Sequence, residues 1–347
     1  MAKVLVTGGC GFIGSHLCEA LIGLGHQVRI LDDLSTGKLA NQVRGSEFLR
    51  GSVIDPTDVA RAMQSVDACF HLAAVASVQR GTEAWAETHR VNLSGTINVF
   101  DAARDRAVPV VYASSAAVYG APDRSPLTEE SRLQPLSAYG ADKLGCEQHA
   151  RVAGVVHGVP TFGLRFFNVF GPRQDPHSPY SGVISIFCER LAQGRPVQLH
   201  GDGGQTRDFV HVTDVVRALL AAWTRASVEA PVVNVCTGRP TSVRDLADTI
   251  AGLLGRQAAI QPSPARAGDI RESLGSTTRL QAELGVRSVV TLTEGLAGIL
   301  AWLASGAPGV GDAAFQPSVR RLTAVSSSHS QSDMPARERV AMRSDQR

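Results

Sequence analysis

The stretch Thr7-Gly8-Gly9-Cys10-Gly11-Phe12-Ile13-Gly14 decides the fold of this chain. It follows Lys3 to Val6, a short β-branched run that is typical of a buried parallel strand. It also opens a helical apolar pattern that extends from Phe12 to Leu24. The sequence therefore predicts a strand, a glycine turn and a helix whose first amide groups are free to face an anion.

The glycines of this turn have the spacing of a dinucleotide-binding loop. Gly8 can adopt backbone angles closed to other residues, Gly11 lets a pyrophosphate approach the main chain, and Gly14 lets the helix pack on the strand. Such spacing also arises by chance in loops, so its context matters. A second strand-like run ends at Asp32, 18 residues after Gly14. A carboxylate there accepts hydrogen bonds from both ribose hydroxyls and repels a 2′-phosphate, which predicts NAD rather than NADP.

A second informative stretch, Tyr139-Gly140-Ala141-Asp142-Lys143, lies far downstream. A spacing of four places Tyr139 and Lys143 on one face of a helix, although two exposed residues would show the same spacing. Three glycines interrupt this helix, at a cost of roughly 1 kcal/mol each against alanine, namely Gly140, Gly145 and Gly154. Three residues of low helix propensity in one helix predict that the helix approaches another part of the molecule closely.

A proton-transfer set can be assembled from these residues. Ser115 follows an apolar strand-like run, so its hydroxyl is expected at a strand end, where it could hold a substrate oxygen. A phenol is a poor base at neutral pH, because its ordinary pKa lies near 10. A neighbouring ammonium and a nicotinamide cation would stabilise the phenolate. Ser115, Tyr139 and Lys143 beside a dinucleotide loop predict a redox enzyme.

Apolar strand runs alternate with helical stretches up to about Phe170, which predicts an α/β fold with a doubly wound parallel sheet. We expect residues 1–170 to form the dinucleotide-binding domain and residues 171–305 to form mainly a smaller α/β substrate domain. Residues from about 205 to 235 are expected to return to the first domain. The polar, aperiodic stretch 306–347 is predicted to be a disordered tail with solvated arginines.

Composition limits the classes of function. The formal net charge of +2 over 347 residues argues against a general nucleic-acid surface. The sequence shows no secretory signal pattern and no membrane-spanning apolar run, so we expect no membrane partner and a cytoplasmic enzyme. Six cysteines lack C-x-x-C spacing and are predicted to be buried free thiols. The scattered histidines, such as His16 and His211, have no partners at ligand spacing, so we predict no metal.

Six motifs occur in an order that resembles the extended short-chain dehydrogenase/reductases, and among them the UDP-galactose and UDP-N-acetylglucosamine 4-epimerase group. The resemblance covers residues 3 to 304. Besides the glycine loop and the Ser115, Tyr139 and Lys143 set, the motifs are His71-Leu72-Ala73-Ala74, Asn92-Leu93-Ser94-Gly95-Thr96, Arg165-Phe166-Phe167-Asn168-Val169-Phe170-Gly171-Pro172-Arg173 and Gly203-Gly204-Gln205-Thr206-Arg207-Asp208-Phe209-Val210-His211-Val212.

The resemblance implies a Rossmann fold, a tightly bound NAD, a UDP-sugar substrate, a homodimer and inversion at the sugar C4 through a 4-keto sugar. It implies cofactor contacts from Gly8, Gly11, Phe12, Ile13, Gly14, Asp32, Asp33, Val53, Leu72, Ala73, Ala74, Asn92, Tyr139, Lys143 and Phe166. It implies substrate contacts from Ser115, Tyr139, Asn168, Val183, Arg207, Arg266, Asp269 and Ser273.

The chain departs from the group at two positions. Many relatives carry an aspartate that meets the adenine amino group, where this chain has Gly51-Ser52-Val53, so the adenine contact is weaker or rerouted. Ala76 stands where some bacterial hexose epimerases have a lysine near the phosphates, and that contact is absent.

The resemblance also bears on the sugar. Ser273 falls at a wall position beside the C2 substituent, where a bulky residue would exclude an N-acetyl group. A small serine there favours interconversion of UDP-GlcNAc and UDP-GalNAc, with UDP-Glc and UDP-Gal as further substrates. Ser273 could instead be an ordinary small surface residue.

Three other readings of the chain remain. A 4,6-dehydratase needs an acidic pair directly after the site hydroxyl, and Ala116 and Ala117 occupy those places. A uronic acid epimerase or a decarboxylase remains open. A non-catalytic NAD-binding regulator would have no use for the Ser115, Tyr139 and Lys143 set.

Overall fold

A seven-stranded parallel sheet is the centre of the fold. The structure, a computed structural model, describes residues 1–122, 124–176, 182–265 and 270–306. The strands of these residues are β1 (Lys3–Thr7), β2 (Gln27–Asp32), β3 (Glu47–Arg50), β4 (Ala68–His71), β5 (Val110–Ser115), β6 (Thr161–Phe166), β7 (Asn168–Phe170), β8 (Val197–His200), β9 (Thr206–His211), β10 (Val232–Val235), β11 (Pro240–Ser242), β12 (Ile260–Ser263) and β13 (Glu272–Ser273). The large sheet has the order β3-β2-β1-β4-β5-β6-β10.

Helices cover both faces of this sheet. They are α1 (Phe12–Gly23), α2 (Pro56–Met63), α3 (Val78–Glu83), α4 (Trp85–His89), α5 (Gly95–Ala103), α6 (Ala138–His157), α7 (Val183–Ala192), α8 (Val212–Trp223), α9 (Val243–Leu253), α10 (Thr278–Leu284) and α11 (Leu292–Ala304). One apolar cluster joins α1, α8 and α10 to the sheet, and a second joins α2, α5 and α6 to it. The parallel strands and two covered faces confirm the predicted doubly wound α/β fold.

The remaining strands form two smaller sheets. In one, β9 pairs with β7, β11 and β13, and in the other β8 pairs with β12. Helices α7, α9 and α11 share a separate apolar cluster with these strands. The chain leaves the large sheet after β6 and returns to it with α8 and β10, which lies beside β6. The division into two domains near residue 170 stays a prediction. The predicted tail from 306 onwards lies, beyond Gly306 itself, outside the described residues.

Helix α6 approaches its neighbours closely at each of its three glycines. A Cβ at Gly140 would lie 2.5 Å from the carbonyl oxygen of Ala117, and one at Gly154 would lie 2.0 Å from that of Val228. At Gly145 the nearest atom, on the Leu93 side chain, is 3.0 Å away. The helix gives up intrinsic propensity at Gly140 and Gly154 because a side chain there would collide with backbone, whereas at Gly145 the leucine side chain could shift.

Candidate active site

A cavity of about 570 Å³ opens at the carboxyl ends of the large sheet's central strands. Parallel α/β sheets bind ligands at this edge, where successive loops diverge. Of the residues predicted to bind cofactor or substrate, those that line it are Gly8, Gly11, Phe12, Ile13, Gly14, Asp32, Asp33, Val53, Leu72, Ala73, Ala74, Ser115, Tyr139, Lys143, Phe166, Asn168, Val183, Arg207 and Ser273. Segments more than 250 residues apart in sequence therefore meet in one cavity.

The glycine turn has the close approaches that a bound dinucleotide requires. Gly8 has a φ of +71°, and a Cβ there would lie 2.8 Å from the amide nitrogen of Ala73. A Cβ at Gly14 would lie 2.2 Å from the carbonyl oxygen of Gly8. The turn leads directly into α1, so the first amides of that helix line the cavity without intrahelical partners. These residues fit the pyrophosphate of NAD.

Asp32 at the end of β2 is held by two backbone amides. Its Oδ2 accepts a hydrogen bond from the Cys10 amide at 2.9 Å, and its Oδ1 accepts one from the Leu34 amide at 2.9 Å. Burial raises the pKa of this carboxyl above its ordinary value, while the two amide hydrogen bonds oppose that shift. Each oxygen retains acceptor capacity toward the cavity, which fits the ribose hydroxyls of NAD.

The segment Gly51-Ser52-Val53, where many relatives have an aspartate that meets the adenine, is held by two hydrogen bonds of Ser52. The amide of Ser52 donates to Oδ2 of Asp58 at 3.0 Å, and its hydroxyl reaches Oδ2 of Asp33 at 3.3 Å. Gly51 and Val53 line the cavity on either side of Ser52. This edge of the cavity therefore presents main chain and an apolar side chain, with Asp33 nearby.

The proton-transfer set is positioned by β5 and α6. Lys143 is 2% exposed, and its Nζ donates to the carbonyl oxygen of Ala113 at 2.8 Å. The same Nζ lies 5.9 Å from the centre of the Tyr139 ring, one helical turn away. The Ser115 hydroxyl accepts from the Ala117 amide at 3.1 Å, which caps the short 3₁₀ turn after β5. All three side chains face one cavity, but their catalytic roles stay predictions.

A buried ion pair fixes α6 to the strands behind this set. Arg165 on β6 donates to both carboxylate oxygens of Glu147 on α6, at 2.9 and 2.8 Å. It also donates to the Tyr119 hydroxyl at 2.8 Å, and that hydroxyl donates to Oδ1 of Asn234 at 2.7 Å. Removing one partner of such a pair would leave the other charge buried and unpaired, which is strongly destabilising. The pair therefore holds α6 in one orientation against the sheet.

Glu129 belongs to the same region, although its turn-rich surroundings predict an exposed carboxylate. Its Oε1 accepts from the Asn234 amide at 2.7 Å, and its carbonyl oxygen accepts from Arg165 at 3.2 Å. The expectation of a solvated acidic pair is wrong for Glu129 and right for Glu130, which is exposed. Sequence spacing carried no sign of these long-range partners.

Asn92, a predicted cofactor contact, is bonded to the loop that forms the cavity wall. It is fully buried and lies outside the lining of the cavity, and its amide group is bonded to the main chain of Val75. It accepts from the Val75 amide at 2.8 Å and donates to the Val75 carbonyl at 3.2 Å. From the other side, the Thr7 hydroxyl accepts from the amides of Leu72 and Ala73. Asn92 thus holds the loop at residues 72–75, and that loop contributes the cavity wall.

The smaller sheets supply the other end of the cavity. Arg207 on β9 donates through Nη1 to the carbonyl oxygens of Thr206 and Ile270, and it faces Ser273 of β13 in register. Asn168, Val183 and Arg207 also line an adjoining cavity of about 320 Å³. Two further residues predicted to bind substrate, Arg266 and Asp269, lie outside the described residues.

Some of the other residues that line the cavity were given no role by the sequence-based prediction, among them a group of three charged side chains. Lys38, Arg173 and Asp175 come from two loops that are remote in sequence. Lys38 and Asp175 form an ion pair at 2.6 Å across these loops. Arg173 is a non-glycine residue with a φ of +69°, a conformation that costs energy for a side chain. Arg173 ends one of the six motifs but was given no role there, and only the contact identifies Lys38 and Asp175, because neither loop carries a periodic pattern.

The predicted free cysteines are confirmed, because all six are buried and unpaired. Burial raises the pKa of the Cys10 thiol, beside the glycine turn, to about 12, with the negative Asp32 adding to the shift. In the described part of the chain, no group of three or more His, Cys, Asp or Glu side chains is placed to hold a metal ion. No helix of the described residues has the length and apolar character needed to cross a membrane.

Comparisons with known proteins agree with this site. The model of the NAD dependent epimerase/dehydratase family matches residues 4–236. A UDP-glucose 4-epimerase of Mycolicibacterium smegmatis is 38% identical over 304 residues, which cover 85% of this chain and 96% of that protein.

Two solved structures are similar over 88% of this chain. A Thermus thermophilus UDP-glucose 4-epimerase in complex with NAD has a TM-score of 0.82 at 37% identity, with 100% of its chain covered. A Methanobrevibacter ruminantium UDP-N-acetylglucosamine 4-epimerase in complex with UDP-N-acetylmuramic acid has a TM-score of 0.84 at 32% identity, with 99% covered. The chain therefore belongs to the NAD-dependent epimerase/dehydratase family, as its motifs predict, and its cofactor is NAD.

Proposed function

We propose that this protein is a UDP-sugar 4-epimerase that interconverts UDP-GlcNAc and UDP-GalNAc and also accepts UDP-Glc and UDP-Gal. One observation carries the proposal: a single cavity is lined by the glycine turn, by Ser115, Tyr139 and Lys143, and by Ser273. A cofactor loop and a hydroxyl-handling set in one cavity are the parts that alcohol oxidation at a sugar carbon requires.

The chain's own residues handle the proton. Bound NAD supplies the hydride acceptor, and later the donor, for the sugar C4. Tyr139 accepts the proton of the C4 hydroxyl and returns it after the sugar has presented its other face. Ser115 hydrogen-bonds that oxygen and holds it in line with the phenol. Lys143 is fixed by the Ala113 carbonyl, so its positive charge stays beside Tyr139 throughout.

Reaction at both faces of the sugar requires a tether that stays bound while the sugar turns. Arg207 lies between the two cavities and could hold the diphosphate, together with Arg266 and Asp269. The 4-keto sugar would then rotate about the diphosphate inside the larger cavity, while the uridine part stays in place.

The acetylated sugars are proposed because Ser273 leaves room. It lies on β13 at the cavity wall, opposite Arg207 in the ladder. The buried Asp208 supports this position, because its Oδ2 accepts from the amides of Gly238 and Gly275, at 2.9 and 3.3 Å. A rigid backbone with a small side chain leaves a fixed volume, and the Ser273 hydroxyl could hydrogen-bond an amide group.

A dehydratase is the reading that the cavity supports least. Ala116 and Ala117 line it directly after Ser115, and neither can transfer a proton to expel water. A uronic acid epimerase or a decarboxylase of the same family is the second candidate, and its products differ in carbon count or at C6.

The deciding experiment is incubation of the purified protein with UDP-GlcNAc, UDP-Glc and UDP-glucuronic acid separately, followed by NMR of the C4 proton. We expect UDP-GalNAc and, at a lower rate, UDP-Gal. Mass spectrometry of the extracted cofactor should show NAD without supplementation. A decarboxylated product, or turnover of the uronic acid alone, would replace the proposed function, and recovery of NADP would overturn the argument from Asp32.

A further inference from the structure

A short segment crosses from the small sheet back to the glycine turn. It consists of residues 171–176, here called the strap, and it follows β7 directly. Arg173, Gln174 and Asp175 of the strap line the same cavity as the glycine turn and the loop after β2. The strap thus faces the cofactor-binding elements although it comes from the other end of the cavity.

The first fastening of the strap is to α1. His16 lies one turn into that helix, and its Nε2 is 3.0 Å from the carbonyl oxygen of Pro172, which can only accept. Nε2 therefore carries the proton, and Nδ1 accepts from Nη2 of Arg173 at 2.9 Å. The same Nη2 forms a short ion pair with Oε2 of Glu19. Burial first, and then the Arg173 charge, lower the pKa of His16 to about 3, so the ring is neutral at physiological pH.

This fastening is the buried one. The Arg173 side chain is 9% exposed, and its left-handed backbone is held in place by the surrounding contacts. Its Nη1 is buried and has no hydrogen-bond partner among the described residues. Two bonds from Nη2 and a fixed neutral His16 make the attachment to α1 firm.

The second fastening is to the loop after β2. The backbone amide of Lys38 donates to the carbonyl oxygen of Cys10 at 3.0 Å, and the Asn41 amide group donates to the same oxygen at 3.1 Å. The Lys38 side chain then reaches Asp175 of the strap at 2.6 Å. A continuous ring of contacts therefore runs from the glycine turn through Lys38, Asp175, Arg173 and α1 back to the glycine turn.

We propose that the strap and its two fastenings form a latch that retains NAD through the catalytic cycle, and that the Lys38–Asp175 ion pair is the part that opens. The inference rests on NAD as the resident cofactor and on the need of the proposed reaction to keep one cofactor through two half-reactions. It is independent of which sugar reacts.

The two fastenings differ in strength, which decides where the latch opens. The Lys38 side chain is 56% exposed and that of Asp175 is 26% exposed. Exposed ion pairs are weak and are screened by salt, whereas removing a partner of a buried pair is costly. Release of NAD should therefore begin with loss of the Lys38–Asp175 contact, while Arg173 keeps the strap on α1.

The test measures the dissociation rate of labelled NAD from the purified holoprotein during a chase with unlabelled NAD. The temperature is raised until half of the label leaves the wild type within about an hour. Lys38→Met, Asp175→Asn and the double variant are compared. We expect each single variant to release NAD about 2- to 5-fold faster, and the double variant to release it no faster than the faster single one.

Salt and a matched pair provide the controls. Raising NaCl from about 50 mM to about 1 M should accelerate release from the wild type by a similar factor and leave the variants unchanged. Asp101→Asn, which breaks an exposed ion pair between Asp101 on α5 and Arg104, should leave the rate unaltered at both salt concentrations.

Two results would overturn the latch. Unchanged release rates would show that the pair does not hold the cofactor, and multiplicative effects in the double variant would show that Lys38 and Asp175 act on NAD release independently rather than through their ion pair. The proposed function can fail separately: if no UDP-sugar is epimerised while the two residues remain coupled in NAD release, the latch stands. If the sugars are epimerised and the release rates do not change, the latch alone falls.

Discussion

The two ends of the cavity are built in different ways. At the NAD end, the glycine turn, Asp32 and the loop at residues 72–75 all come from the first third of the chain. They lie at the carboxyl ends of β1, β2 and β4, which are neighbours in one sheet. At the sugar end, Asn168, Arg207 and Ser273 come from three small strands, which meet only because β9 pairs with both β7 and β13. The first end is fixed by local backbone geometry, and the second is fixed by long-range pairing.

This difference indicates at which end of the cavity the lining side chains can vary. A glycine turn tolerates few side chains, since a Cβ at Gly14 would lie 2.2 Å from a backbone oxygen. A wall residue such as Ser273 sits on an edge of a two-residue strand, where its side chain can vary while the pairing is kept. The glycine turn is thus constrained by the backbone around it, whereas the cavity wall at Ser273 can change by a single side chain.

The largest expected effect is at the junction of the two ends. Tyr139→Phe should lower turnover by roughly 10²-fold or more, because it removes a positioned acid–base group, while the NAD content and the fold stay unchanged. Ser115→Ala should lower turnover less, because it removes only a hydrogen bond to the reacting oxygen. Steady-state kinetics and the far-UV circular dichroism of both variants check this. Near-normal turnover in Tyr139→Phe, with the substitution verified by mass, would show that the chemistry is misplaced.

The next effect should be confined to the sugar end. Ser273→Tyr should abolish turnover of the acetylated UDP-sugars and spare the plain hexoses, because the ring fills the volume beside C2 and overpacking costs about 1 to 3 kcal/mol. The measurement is kcat/KM for UDP-GlcNAc and UDP-Glc, with Ser273→Ala as the control that keeps the volume. Equal loss for both sugars, or for neither, would refute this account of specificity.

The smallest effect concerns the NAD end and is a pH dependence of stability. The pKa of His16 is lowered from 6.5 to about 3 in the folded protein, so below about pH 6.5 the unfolded chain binds a proton that the folded one does not. Stability is then fully present above pH 6.5 and is lost as the pH falls. Between about pH 7.5 and pH 5, this one group should cost about 2 kcal/mol.

His16→Gln removes the titration but keeps a donor and an acceptor for Pro172 and Arg173. The free energy of unfolding, measured in urea at both pH values, should therefore fall by about 2 kcal/mol less in the variant than in the wild type. An equal fall in both proteins would mean that the pKa of His16 is the same in the folded and unfolded chains, so that burial and the Arg173 charge do not hold the ring neutral.

The same contrast between local geometry and long-range pairing decides which parts of the fold could be predicted from the sequence. The strand, turn and helix around Gly8 were predictable because backbone geometry there depends on adjacent residues. The doubly wound sheet followed from the alternation of apolar runs. The alternation could not show the pairing of β7, β11 and β13 with β9, because strands of two or three residues carry no periodic signal.

The site was predictable where a motif carries the chemistry and unpredictable where a contact does. Ser115, Tyr139 and Lys143 were found from spacing and resemblance, and they line one cavity. Asn92 was assigned to the cofactor by the family resemblance. Its side-chain amide is bonded to the main chain of Val75, a contact that no motif shows. Nothing in the sequence relates Lys38 to Asp175, since an exposed ion pair between two loops leaves no pattern in either.

Two of the glycines of α6, Gly140 and Gly154, have a consequence for how the substrate specificity of this site can change. The helix that carries Tyr139 and Lys143 lies so close to the backbone of Ala117 and Val228 that a Cβ at Gly140 or Gly154 would overlap a carbonyl oxygen. A substitution at either of these two glycines would force the helix away from its neighbours, so the position of Tyr139 is hard to adjust by changes in this helix. If Tyr139 is the base, as we propose, a change of sugar is then expected to come from replaced wall residues such as Ser273, around a phenol that stays where it is.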